Sequence, residues 1–148
     1  MARVTGGDKL EAYLRDIASK LERTPTVEVG WIDGATYPET GTPVALVAAT
    51  NEFGRPKQPP RPAIRNMIAE KSKEWPRQAG ALLKANDFDG PRTMEQMGAA
   101  IKGQMQEAIA TYSGPALKPE TIKRKGSDKQ LVDRGIEIAG IDYRLKED

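Results

Sequence analysis

VALVAATNEFGRPKQPPRP, residues 44–62, joins an alanine-rich apolar run to a proline-dense stretch through Asn51, Glu52, Phe53 and Gly54. Thr42 before Pro43 reads as an N-cap followed by proline at the first helical position, and Gly54 supplies the left-handed residue at which a short helix stops. The spacing predicts a helix over residues 43–53 with Val44, Val47 and Ala48 on one stripe. A run this short also fits a buried strand, and its alanines favour the helix. In residues 55–62, prolines at 56, 59, 60 and 62 remove amide donors and push their neighbours towards extended geometry. This segment is expected to be an extended proline-rich arm. It either meets a partner or serves as a surface loop that positions the next helix.

Upstream, Leu10, Tyr13, Leu14, Ile17, Ala18 and Leu21 recur at helical spacing, with Lys9, Glu11, Arg15, Asp16 and Lys20 on the other face. Asp8 is the expected N-cap, Pro25 closes the helix, and the apolar stripe is expected to face the core. Val27, Val29 and Trp31 alternate with Glu28 and Gly30, as in a strand with one buried face. Trp31 fits the core or a subunit interface, where aromatics are enriched. Residues 33–41 read as a loop or as the second arm of a hairpin.

Downstream, Ile64, Ile68, Lys71, Trp75, Ala79 and Leu82 follow one face of a helix expected over residues 62–85 and bent near Pro76. Thr93 and Gln96 form a capping box for a second long helix, which carries Met94, Met97, Ile101, Met105, Ala108 and Tyr112 on one stripe. The methionines suit adaptable core packing or a binding groove. Residues 113–129, SGPALKPETIKRKGSDK, read as a basic loop. Lys118, Lys123, Arg124, Lys125 and Lys129 there could face DNA phosphates or simply form a solvated face. A turn is expected at residues 133–135, and Ile141, Tyr143 and Leu145 then alternate as a final strand.

The chain has 148 residues, with neither cysteine nor histidine, so disulfides, thiolate or imidazole metal sites and serine–histidine triads are excluded. Its 23 basic and 21 acidic residues nearly cancel, unlike a protein that coats nucleic acid. No stretch has the apolar length of a signal peptide or of a ~20-residue membrane span. The expectation is a soluble protein of the cytoplasm, or of a particle assembled there, with no cofactor and no membrane partner.

Two isolated strand signals need each other, so the final strand is expected beside residues 27–31. The expected fold is a single α+β domain over residues 1–148. In it a small antiparallel or mixed sheet is packed by an N-terminal helix and two long helices.

The order VAATNEFG, PPRPAIR, a long helix pair, then ALKPETIKRKGSDKQLVDRG and a short strand resembles the neck or tail-completion proteins of long-tailed, siphovirus-type bacteriophages. The likeness spans residues 44–145. Asn51, Glu52, Phe53 and Gly54 match the family's N-E-F-G element, and Leu131, Asp133 and Gly135 match its closing L-x-D-T-G element. Arg134 stands where that element has threonine, Ala63 where a bulky aromatic is common, and Gly140 where a serine often precedes the last strand.

The resemblance implies a non-enzymatic virion protein that forms a ring, six-fold in the family, between head connector and tail tube, through which DNA passes. Its implied interface is Asn51, Glu52, Phe53, Gly54, Pro59, Pro60, Arg61 and Pro62. Its implied partners are other copies of itself, the connector, and the tail tube or terminator, with transient contact to passing DNA. A small nucleic-acid-binding module and a tail terminator protein are the alternatives, and an enzyme pairing Glu52 with Asp33 or Asp133 is a third class.

Overall fold

The computed structural model of the chain describes residues 5–114 and 127–147, with side chains from Asp133 onward in the second stretch. The described residues form six helices and one two-stranded antiparallel sheet, a mixed helix-and-strand fold. In chain order these are α1 (Gly7–Glu22), β1 (Thr26–Gly30), α2 (Val44–Phe53), α3 (Ala63–Lys71), α4 (Trp75–Ala85), α5 (Gly90–Thr111), α6 (Ser127–Ala139) and β2 (Asp142–Lys146).

The strands pair as the alternation predicts, with Val27 opposite Leu145 and Val29 opposite Tyr143. Directly opposed residues share a face, so these four side chains make one apolar surface. The other face carries Glu28, whose carboxylate takes Arg144 at 2.7 Å and Lys146 at 3.7 Å. A lone pair of strands is marginal in water, and α5 supplies the missing layer. Gly98 lets it approach: a β-carbon there would lie 2.6 Å from the Tyr143 ring and 2.8 Å from a Val27 methyl. The core then continues through Met67, Met105, Ile109 and Ile141, flanked by Val29, Trp31, Ile64, Trp75 and Ile138. Trp31 belongs to this core and donates its indole N–H to the Glu137 carbonyl at 2.8 Å. Of the methionine stripe, Met97 and Met105 are buried and Ala108 packs against this core.

Several local expectations need correction. The α1 helix exists, but it starts from Gly6 instead of an Asp8 cap and none of its residues is buried. Leu10 is 59% exposed and Leu14 54%, because none of the other described elements packs closely along its stripe. The helix expected over residues 62–85 is two helices, broken by a turn at residues 72–74. Pro76 sits in the first turn of α4, where its missing N–H would have had no partner. Met67 takes the buried position on α3, and Ile68, one step round, is exposed.

The cap of α5 is Asp89, which accepts the Arg92 amide at 3.0 Å. Thr93 and Gln96 instead receive the Asn86 side-chain amide, at 3.2 and 2.6 Å. Residues 133–135, expected as a turn, are helical, as are residues 127–129 at the end of the expected basic loop, because α6 runs through them. Residues 33–41, expected as a loop or as a hairpin arm, are a loop and form no strand beside β1. Thr36 bridges Pro43, the Tyr37 amide donates to Thr42, and the buried Tyr37 ring fastens the turn in front of α2.

Candidate functional site

Helix α2 turns Val44, Ala48 and Glu52 inward at four-residue spacing and leaves Leu46 and Phe53 outside, 57% and 65% exposed. A carboxylate on the inward face needs partners, and the start of α3 provides them. Glu52 accepts the Arg65 amide at 2.7 Å on one oxygen and the Ile64 amide at 3.1 Å on the other. These are first-turn donors of a helix whose own N-cap, Pro62, has no side-chain acceptor. A negative group there also meets the positive end of the helix dipole. Arg65 completes the clasp, with its guanidinium on the Glu52 carbonyl at 2.6 Å and 4.9 Å from the centre of the exposed Phe53 ring.

The proline segment is wound into the same clasp, which corrects the expectation of a stiff extended arm. Gly54 closes α2 at φ 75°, where a β-carbon would come within 2.8 Å of the Gln58 carbonyl oxygen and the Pro60 nitrogen. Arg55 and Gln58 exchange backbone hydrogen bonds of 2.9 and 2.8 Å, which reverses the chain over Pro56 and Lys57. Gln58 donates its side-chain amide to Asn51 at 3.1 Å, and the Arg61 amide returns to the Asn51 carbonyl at 2.6 Å. Proline density here makes a tight knot because the amides of Arg55, Gln58 and Arg61 bond back to the junction or across its turn.

Of the residues expected at an interface, Asn51, Glu52, Gly54 and Arg61 therefore hold the junction together. Phe53, Pro59 and Pro60 stand outside it, and Pro62 is half-buried at the start of α3. Lys118, Lys123, Arg124 and Lys125 lie outside the described residues. Lys129 lies on α6, among the residues whose side chains are not described. Sequence reasoning missed Arg65 and Glu137. Glu137 sits on α6 beside the clasp and takes a hydrogen bond from the Asn51 side chain. Burial holds its carboxyl above the usual carboxylate range; Arg134 and Asn51 oppose that shift and Glu52 adds to it. Burial also pushes the Tyr37 hydroxyl up to about 12, with Glu137 and Asp133 adding to the shift.

Glu52 and Glu137 are thus two neighbouring carboxylates, which is a pairing different from those with Asp33 or Asp133. Both Glu52 oxygens are already occupied by backbone amides, so this carboxylate works as a fastener. Among the described residues no group of three or more acidic side chains is placed to hold a metal ion. None of their helices is long and apolar enough to cross a membrane. No protein-family model, curated protein or solved structure matches the chain.

Proposed function

We propose that the chain is a structural, non-enzymatic protein of a phage neck, working in tail completion and head–tail joining. In this role it forms a ring, with six copies the expected number, between connector and tail. Phe53, Pro59 and Pro60 contribute to the contact surface, while Asn51, Glu52, Gly54, Arg61 and Pro62 hold that surface in shape. The order of sequence elements supports this role. The structural observation that carries it is the 51–65 junction, whose polar groups bond inward while a large aromatic and two prolines are left outside. Large exposed aromatics on a rigid base suit protein contact. A preorganised loop also loses little entropy when a neighbour covers it.

The same role gives the nearly balanced charge a purpose, since passing DNA needs weak, sequence-blind contacts. Lys118, Lys123, Arg124, Lys125 and Lys129 are proposed for those contacts. The test is a Phe53→Ser chain and a Pro59→Gly/Pro60→Gly chain, each supplied to particles lacking the parent protein. Both should fold, with the two glycines costing about 1–2 kcal/mol together, and both should fail to restore infectivity. Full rescue by both would remove the junction surface from the function. Salt-dependent DNA binding by the monomer at micromolar concentration, without particle joining, would favour the nucleic-acid module instead.

A further inference from the structure

Two apolar features of the described chain have no partner within it. One is the seam of α1, where Leu10, Leu14, Ile17 and Leu21 follow four–three–four spacing with Tyr13 alongside. The large members of that seam are exposed, Leu10 by 59%, Tyr13 and Leu14 by 54% each and Leu21 by 39%. The other is a groove of about 280 Å³ between α4 and α5, lined by Trp75, Pro76, Ala79, Met94, Met97 and Ile101. The Trp75 indole N–H is already bonded to Gln104 at 2.9 Å, so the ring offers the groove its apolar surface.

The two features stay apart within one copy. Lys20 fixes the last turns of α1 to the α4–α5 corner through the Asp87 carboxylate at 2.9 Å and the Asp87 carbonyl at 3.3 Å. Thr24 is packed closely against Gly90 just beyond. With its C-terminal end anchored there, α1 extends from the body and leaves its own groove open.

We infer that α1 of one copy lies in the α4–α5 groove of a second copy. This deepens the ring proposed above and rests on it, because a ridge and a groove on different faces of one chain make a head-to-tail contact, which gives a ring where its rotation closes and a filament where it does not. Charge is compatible: Glu11 and Asp16 are paired within α1, which leaves Asp8 and Glu22 against Lys9, while on α4 Arg77 is paired with its N-cap Glu74 at 2.8 Å and Lys84 remains as a cation. Area agrees as well. The half-exposed seam covers on the order of 300–400 Å², short of the ~800 Å² per partner in a standard stable interface. A single pair is therefore weak, and a closed ring, in which every copy both gives a ridge and receives one, is the stable form. Methionines in the groove suit a helix that must be admitted during assembly.

The absence of cysteine makes the test clean. Leu14→Cys and Ala79→Cys chains are prepared separately, mixed, and oxidised, beside each chain alone and beside the double variant at high dilution. The mixture should give an interchain product linking the two different chains. Leu14→Glu should raise the dissociation constant of self-association at least ten-fold by sedimentation velocity, with an unchanged far-ultraviolet spectrum. A Leu14→Cys product without the mixed one would mean that α1 pairs with α1, and an intrachain bond at high dilution would mean that it seats in its own groove. Either result overturns the inference, as does a parent chain that stays monomeric at 100 µM or above. Rings seen by electron microscopy without the mixed cross-link would overturn the seat alone and leave the ring standing. The mixed cross-link without rings would do the reverse.

Discussion

At the scale of single residues, the clasp on Glu52 is the most informative contact. Hydrogen bonds to a charged group are worth about 1.5–3 kcal/mol, and Glu52 receives two backbone amides from the start of α3. Glu52→Ala should therefore cost about 3–6 kcal/mol in urea unfolding, and Glu52→Gln, which keeps one acceptor oxygen, about half of that. If Glu52→Ala unfolds like the parent, α3 is not held from α2. Glu137 gives a prediction in pH. Its folded-state pKa is raised, chiefly by burial, so the folded chain holds this proton more tightly than the unfolded one. That stabilisation is complete below the ordinary carboxylate value of 4.5 and disappears as pH rises through the raised one. Glu137→Gln should flatten the stability curve in that window and leave neutral-pH stability at least as high as the parent's. A variant curve with the parent's slope would assign the titration elsewhere. Asn51 to Gly54 could be read in the sequence as a helix end because Gly54 announces it. The task of Glu52 could not, because its partners lie twelve and thirteen residues on, beyond a proline turn that periodicity does not see across.

At the scale of elements, periodicity located helices better than it located what covers them. The α1 stripe follows helical spacing and the helix is there, but an apolar face states only that something apolar should cover it. Leu14→Asp should accordingly change monomer stability by no more than about 0.5 kcal/mol at a dilution where the chain is unassociated. A charge in a true core position would cost several times more. Gly98→Ala tests the opposite case. Its added methyl would meet Tyr143 and Val27 where α5 lies on the sheet, and overpacking of that kind costs about 1–3 kcal/mol. If Leu14→Asp proves the worse of the two in thermal melts, the assignment of faces is reversed. The strand pair was legible because alternation has a short period and each strand needs the other. The break between α3 and α4 was not: Pro76 signals a disturbance, and whether the chain bends or restarts depends on where Met67 and Trp75 find the core.

At the scale of the whole molecule, α5 is the spine. One side covers the sheet, the other receives α3 and α4, and α6 reaches from it to α2. Around that spine the described residues leave open the α1 seam, the α4–α5 groove, and the junction bearing Phe53 and its prolines. The mixed helix-and-strand class could be read from the sequence, because helical stripes and two alternating runs are local patterns. The open surfaces could not, because exposure depends on how elements are placed, and hydrophobic spacing is the same whether a neighbour belongs to the same chain or to another. A protein built this way should be most ordered in company, and the neck-ring account rests on that. Electron microscopy of the purified chain, alone and after mixing with connector-bearing heads and isolated tails, tests it most directly. The account predicts closed rings in the free protein at high concentration, and the same ring at the junction of joined particles. Monomers at every concentration, with heads and tails left unjoined, would contradict it.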